Sequence, residues 1–162
     1  MSFSKAKKKL VKLYQDFKAE EDVKGLYAAP DEKNIFKWNC VILGPADTIW
    51  ADGTFKLELE FDDGYPSTPP KGRFNPSIYH PNVYKDGRLC LDILTPKEWD
   101  RNNKMSSILL SIQSLLDDPN PDSPANHEAT EAFKAYKKDQ SDEYRRKVRE
   151  CVENSWANFE DE

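Results

Sequence analysis

The chain opens with a segment in which apolar residues recur every three or four positions. This spacing is typical of an amphipathic helix, which we expect over roughly Ser4 to Glu20. The apolar positions are Leu10, Leu13, Tyr14 and Phe17. Residues 1–12 also carry five lysines and no acidic residue. Positive charge at the start of a helix opposes the helix dipole, at roughly a few tenths of a kcal/mol per lysine, and this cost suggests a use outside the fold.

Two later segments have the patterns of β-strands. Ile35 to Leu43 is an almost continuous apolar run, as in a strand that is buried on both faces. From Phe55 to Phe61, apolar and charged residues alternate, which indicates a half-exposed antiparallel strand. A further strand is expected to end near Phe74, so the pattern predicts a meander of about four strands after the first helix.

The second half of the chain predicts helices. An apolar helix around Ile108 to Leu116 should end at residues 118–121, Asp-Pro-Asn-Pro, because a residue that precedes proline disfavours the α conformation. Ser123 and Pro124 then predict the cap and first turn of the next helix. Strands grouped first and helices grouped later indicate an α+β fold. At 162 residues, we expect one domain, 1–162, with a short acidic end at 159–162.

Cys90 is the candidate nucleophile among three cysteines. Cys40 falls within the predicted strand Ile35 to Leu43. Cys151 lies on the apolar face of a last predicted helix, with Tyr144, Val148 and Val152, whereas Cys90 follows a loop. A lone cysteine before an apolar run is more often a small buried hydrophobe, so the residue alone does not decide the matter. Residues 85–87, Lys-Asp-Gly, predict a turn that would bring Asn82 beside Cys90. The Asn82 amide could then donate to a developing oxyanion, or it could simply fix the loop.

Three stretches together resemble the ubiquitin-conjugating enzymes. They are HPNVYKDGRLCLDIL (His80 to Leu94) with the Trp99 that follows, residues 107–126, and residues 38–61. The resemblance runs from the lysine-rich start to about Trp156, and within the family it points to the radiation-repair, histone-modifying class. It implies the ubiquitin-conjugating fold: an N-terminal helix, a four-stranded antiparallel meander, an active-site loop and C-terminal helices.

The resemblance also implies an activity. Cys90 would accept ubiquitin from the activating enzyme as a thioester and transfer it, usually with a ligase, to a substrate lysine, with Asn82 as the second catalytic residue. The supporting rim of the site would consist of His80, Asp92, Asn120 and Ser123. No cofactor is implied for this chain, because ATP is used by the activating enzyme.

Two partner surfaces follow from the same resemblance. The activating enzyme and the ligase would dock on Lys5, Lys8 and Lys9, and a ligase of RING type would contact Ser67, Trp99 and Asp100. Ser67 stands where several members of the family carry a phenylalanine that anchors RING ligases, which leaves the choice of ligase open. Ser123 stands where many members carry an aspartate, which leaves carboxylate-assisted deprotonation of the lysine open. Ser123 is also a candidate for phosphorylation, although a helix cap is the simpler interpretation.

Composition argues against several other classes. The net charge of −5 speaks against general nucleic-acid binding. The sequence has no apolar run long enough to span a membrane and no secretory segment at its start. His80, His127 and the widely spaced cysteines form no metal-binding pattern. We expect a monomer in the cytosol or the nucleus.

Three alternatives remain open at this point. The chain could conjugate a ubiquitin-like modifier such as SUMO, although residues 91–94, Leu-Asp-Ile-Leu, are more similar to the ubiquitin group. It could be an inactive variant that only binds ubiquitin, although such proteins lack the cysteine found here at Cys90. It could be a hydrolase that uses Cys90 and His80, but such a pair needs an orienting third group, and Pro81 disfavours a mobile base.

Overall fold

The computed structural model describes residues 2–20 and 23–160, with side chains at 5–20 and 23–157. The acidic end, 159–162, therefore lies outside the described side chains. The helices are α1 (Ser2–Ala19), α2 (Met105–Asp117), α3 (His127–Lys137) and α4 (Glu143–Glu160). The strands are β1 (Leu26–Asp31), β2 (Asn34–Leu43), β3 (Thr54–Glu60) and β4 (Lys71–Phe74), and a 3-10 turn spans Asp92–Leu94. This order of elements confirms the predicted α+β fold.

The four strands form one antiparallel sheet in the order β1-β2-β3-β4. Each strand pairs with the next along the chain, so the sheet is the predicted meander. Pro30 lies in β1, where its missing N–H is tolerated because β1 is an edge strand of this sheet.

One face of the sheet is covered by helices. Trp38 and Leu57 lie in the core on that face, against α1, α2 and α4, whereas Asn39 on the other face is exposed. The prediction that the β2 strand is buried on both faces is therefore wrong. The apolar run of β2 contains Lys37 and Asn39 at alternate positions, and these polar residues occupy the face opposite the helices α1, α2 and α4.

The predicted helical faces are confirmed. In α1, Leu10 is fully buried and Phe17 is 8% exposed, whereas the lysines of the predicted docking surface, Lys5, Lys8 and Lys9, are exposed. In α2, Ile108 and Ile112 are fully buried, and the helix ends at the Asp-Pro-Asn-Pro segment as expected. None of the helices in the described ranges is long and apolar enough to cross a membrane.

The predicted start of the third helix is wrong. The helix begins at His127 rather than at Pro124, and Asn126 caps it by accepting a hydrogen bond from the Ala129 N–H at 3.1 Å. Ser123 is therefore not the cap. The backbone before the helix makes tertiary hydrogen bonds instead. The Ser123 carbonyl accepts from the Asn82 side chain, and the N–H groups of Ala125 and Asn126 donate to the Pro81 carbonyl.

Candidate active site

A short hairpin brings Asn82 beside Cys90. The Cys90 N–H donates to the Asn82 carbonyl at 2.9 Å, and the Tyr84 N–H donates to the Arg88 carbonyl at 2.9 Å. Gly87 closes the turn with a φ of 96°, a conformation that side chains with a Cβ rarely adopt. The predicted turn at residues 85–87 is thus present. We call residues 82–90 the hairpin.

The Asn82 side chain is fully buried and holds the hairpin against the loop after α2. Its Nδ2 donates to the carbonyls of Asn120 at 2.7 Å and Ser123 at 2.8 Å, and its Oδ1 accepts from the Asn120 N–H at 2.7 Å. Pro81 adds to this contact, because its carbonyl accepts the N–H groups of Ala125 and Asn126 at 2.8 and 3.1 Å. We call these contacts the clamp. Both hydrogens of the Asn82 amide are used within it.

His80 belongs to the same clamp as a neutral ring. Its Nδ1 accepts from the Asn82 N–H at 2.9 Å, so we assign the ring proton to Nε2, which donates to the Leu115 carbonyl at 2.7 Å. Complete burial lowers the pKa of His80 to about 4, although the hydrogen bonds to the backbone at Leu115 and Leu116 oppose this shift. His80 is therefore neutral at pH 7 and bound through both ring nitrogens, which is unsuited to a mobile general base.

Three of the predicted rim residues, His80, Asn120 and Ser123, belong to the clamp, and Asp92 is linked to it. Asn120 donates through Nδ2 to the Asp92 Oδ2 at 3.3 Å, and Asp92 is exposed at the start of the 3-10 turn. Ser123 is half-buried and contributes its backbone carbonyl to the clamp. The structure thus brings Asn82, Asn120 and Ser123 into direct contact and links Asp92 to them.

The three cysteines have different surroundings. Cys40 is 2% exposed, and burial raises its pKa to about 12. Cys151 is half-buried on α4, where burial also raises its pKa against a smaller opposing hydrogen bond with the Tyr79 backbone. Cys90 is half-buried at the open end of the hairpin. Over residues 2–20 and 23–160, no three His, Cys, Asp or Glu side chains are grouped as metal ligands.

The predicted ligase-contact residues lie on two joined loops. The Trp99 Nε1 donates to the Pro66 carbonyl at 2.8 Å and so ties its loop to the one that carries the exposed Ser67. Asp100 is exposed and accepts from the Asn102 N–H at 2.8 Å. A groove of about 240 Å³ separates these loops from α1, and Lys9 lines it. Lys5 and Lys8 are exposed on the same helix but do not line this groove.

Sequence reasoning missed the backbone groups that complete the clamp. The carbonyls of Pro81 and Leu115 accept hydrogen bonds there, and no residue type marks a carbonyl for such a role. The helix cap at Asn126 could have been predicted, since asparagine is a preferred capping residue. However, the proline after Ser123 favoured a helix that starts three residues earlier.

Comparisons with known proteins identify the family of the chain. The family model described as ubiquitin-conjugating enzyme matches residues 12–152. Ubiquitin-conjugating enzyme E2 2 of Debaryomyces hansenii is 50% identical over 147 residues, which cover 90% of this chain and 84% of that protein. Ubiquitin-conjugating enzyme E2 2 of Candida glabrata is 48% identical over 147 residues, 90% of this chain and 85% of that protein. The chain therefore belongs to the ubiquitin-conjugating enzyme family.

Proposed function

We propose that Cys90 accepts ubiquitin as a thioester from an activating enzyme and passes it to the amine of a substrate lysine. The observation that carries this proposal is the position of Cys90 at the open end of the hairpin. Cys40 and Cys151 pack into or against the core, where burial raises the pKa of each thiol and so disfavours the reactive thiolate.

The reaction has two balanced acyl-transfer steps. In the first, the Cys90 thiolate attacks the carbonyl of the ubiquitin thioester, the C–S bond to the activating enzyme breaks, and the cysteine of that enzyme leaves as a thiolate. In the second, a neutral lysine amine attacks the new thioester carbonyl, the C–S bond breaks, and the amide forms as the amine loses a proton. Lysine has an ordinary pKa of about 10.4 and is almost wholly charged at pH 7. An acidic rim favours its approach, and Asp92 places an exposed carboxylate there.

Asn82 serves as a positioning residue in this proposal. An amide that acts on an oxyanion must aim a donor at it, and both Asn82 donors are directed at carbonyls of Asn120 and Ser123. Direct stabilisation of an oxyanion would first require one of these two hydrogen bonds to break. The clamp instead fixes the Asn82 carbonyl that receives the Cys90 N–H.

The partner surfaces are part of the same proposal. The exposed lysines of α1, Lys5, Lys8 and Lys9, would receive the activating enzyme and the ligase. A RING-type ligase would contact Ser67 and Asp100, whose loops are held together by Trp99. The groove between these loops and α1 is lined by Lys9 on one side and by Pro66, the acceptor of the Trp99 hydrogen bond, on the other.

A charging assay tests the central proposal. Purified protein is incubated with activating enzyme, ATP and either ubiquitin or SUMO, and the products are separated with and without reductant. Wild-type protein should form a reductant-labile ubiquitin adduct, Cys90→Ser should form a reductant-stable one, and Cys151→Ser should behave like the wild type. A reductant-labile adduct on Cys90→Ser would show that another thiol is used. An adduct with SUMO alone would assign the chain to another modifier, and no adduct with either would favour an inactive variant.

A further inference from the structure

A groove of about 660 Å³ lies along β4 and the hairpin and extends to Leu94, in the 3-10 turn after Cys90. Arg73 of β4 and Arg88 of the hairpin both line this groove. The two residues lie opposite each other, because their backbones form an isolated antiparallel β-bridge. We call these two residues the arginine pair. The mechanism proposed above makes no use of this groove.

Both arginines of the pair bind Asp86, one through its carboxylate and the other through its backbone carbonyl. The Arg88 Nε donates to the Asp86 Oδ2 at 2.8 Å, and the Arg73 Nε donates to the Asp86 backbone carbonyl at 3.0 Å. Neither guanidinium makes a hydrogen bond through its terminal amino groups to any other described residue. Four basic and three acidic side chains line the groove, so it carries one positive charge in excess although the chain carries −5.

The two other acidic residues of the groove also have basic neighbours. Glu58 forms an ion pair with Lys37 at 3.7 Å and lies opposite Arg73 in the register of the sheet, and Glu60 lies opposite Lys71. Lys37 and Lys71 offset these two glutamates and Asp86 offsets one arginine, which leaves one positive charge in excess at the arginine pair.

The arginine pair is ordered before any ligand binds. The guanidinium of Arg88 lies 4.7 Å from the centre of the Tyr84 ring, a cation–π contact that holds its side chain. Asp86 also holds this side chain, through an ion pair at 2.8 Å. A side chain that is already ordered loses less conformational entropy when it binds, which favours recognition of a ligand.

The hairpin places the arginine pair near the reactive thiol. Side chains alternate along an extended segment, so Arg88 and Cys90 share one face of the hairpin, while Val83 is buried with 1% exposure on the other face. At about 3.3 Å per residue, the Cα atoms of Arg88 and Cys90 are about 7 Å apart. A group bound at the Arg88 guanidinium therefore lies about two to four extended residues from a lysine that reaches Cys90.

We propose that the arginine pair binds an aspartate or glutamate of the substrate, two to four residues from the lysine that receives ubiquitin. A guanidinium matches a carboxylate through two parallel hydrogen bonds, which a lysine cannot reproduce. This inference rests on the proposed function of Cys90 and adds a preference for acidic sequence around the modified lysine.

The test uses two peptides that differ only in one residue, a glutamate or a glutamine three positions from a single lysine. Loaded protein is freed from activating enzyme, and the ratio of discharge rates to the two peptides is measured at low ionic strength. An exposed ion pair of up to about 1 kcal/mol gives a ratio of roughly three to five in favour of glutamate. The ratio should fall towards one in high salt and in Arg73→Gln/Arg88→Gln. Arg88→Lys should retain only part of the wild-type preference for the glutamate peptide.

The ratio is insensitive to a general loss of activity, because both peptides meet the same loaded protein. Arg145→Gln removes an exposed arginine of α4 and should keep the wild-type ratio. A ratio of one for the wild type, or an unchanged ratio in the double glutamine variant, would overturn the inference. Failure to load Cys90 would instead count against the proposed function. In that case, titration of unloaded protein with the glutamate peptide still decides the matter, through NMR shifts of the Arg73 and Arg88 amides that the glutamine peptide should not produce.

Discussion

Cys90 and Cys151 are both half-buried, but they lie in different kinds of structure. Cys151 projects from α4, two turns after Tyr144, and packs against the core together with Tyr79 and other aromatic residues. Cys90 ends a hairpin that is held by the buried polar contacts of the clamp. Exposure alone does not separate the two thiols.

The difference shows how a reactive thiol can be kept both accessible and fixed. Apolar packing fixes Cys151 but disfavours its thiolate, because burial penalises the charged form. The clamp fixes the backbone of the hairpin through Asn82. Val83 packs into the apolar core on the opposite face of the hairpin, so Cys90 itself need not be buried there. Each prediction below tests one part of this contrast.

The largest expected effect is on alkylation of the cysteines. With a pKa of about 12, Cys40 is about one part in ten thousand thiolate at pH 8, so it should react about three orders of magnitude more slowly than an unperturbed thiol. Cys151 should also react more slowly than Cys90, since burial raises its pKa. Mass spectrometry after timed alkylation gives the three rates, and alkylation in urea should make them similar. Equal rates for Cys90 and Cys151 in folded protein would remove the contrast.

Replacing Asn82 tests the clamp. Asn82→Ala leaves the carbonyls of Asn120 and Ser123 and one N–H without a partner, at roughly 1–3 kcal/mol for each group that stays buried. We expect a loss of about 3 kcal/mol or more in the free energy of unfolding, and faster exchange of the Cys90 amide. Denaturant unfolding and hydrogen exchange measure both.

Asn39→Ala is a matched control for this replacement, because Asn39 is exposed on the sheet, and it should change the stability by no more than about 0.5 kcal/mol. Asn82→Asp should not rescue the clamp, since its carboxylate can accept from Asn120 but would face two carbonyls. If Asn82→Ala keeps full stability yet discharges to lysine about 100- to 1000-fold more slowly, Asn82 is an oxyanion donor instead.

The pH dependence of stability tests the neutral state of His80. Its pKa is lowered to about 4 in the folded protein, below the ordinary 6.5 of the unfolded chain, so the unfolded state binds a proton first as pH falls. Stability should therefore fall from about pH 6.5 towards pH 4, by about 2 kcal/mol between pH 7 and pH 5. His80→Gln should lose this component of the pH dependence, and His127→Gln should keep it. A His80 ring that titrates near pH 6.5 in NMR spectra would contradict the assignment.

The smallest expected effect on stability concerns α1, away from the surroundings of both Cys90 and Cys151. Replacing Lys5, Lys8 and Lys9 by glutamate changes exposed positions of α1 and should shift stability by about 0.5 kcal/mol or less for each residue. Charging by the activating enzyme should nevertheless slow, and more so at low salt. The same charge change at Lys134, Lys137 and Lys138 provides a control at the end of α3. An unchanged charging rate at low ionic strength would rule out the docking role.

Local patterns determined much of the fold in advance. Helical spacing located α1 and α2, and strict alternation located β3, because burial of one face imposes the period of each element. The continuous apolar run of β2 gave a wrong prediction for the opposite face, since an apolar run does not show how many layers cover a sheet. Which face of the sheet the helices cover is decided by the tertiary packing of all the elements.

The sequence by itself determined that Cys90 stands apart from the other two cysteines, and that a turn returns the chain beside it. Only the tertiary structure decided what the neighbours of Cys90 do. Asn82 meets partners 38 and 41 residues away, and His80 meets one 35 residues away. Those partners are backbone carbonyls, which every residue possesses, so no residue pattern marks them. The helix cap predicted at Ser123 is absent for the same reason. The Ser123 carbonyl accepts a hydrogen bond of the clamp, and the helix begins only at His127.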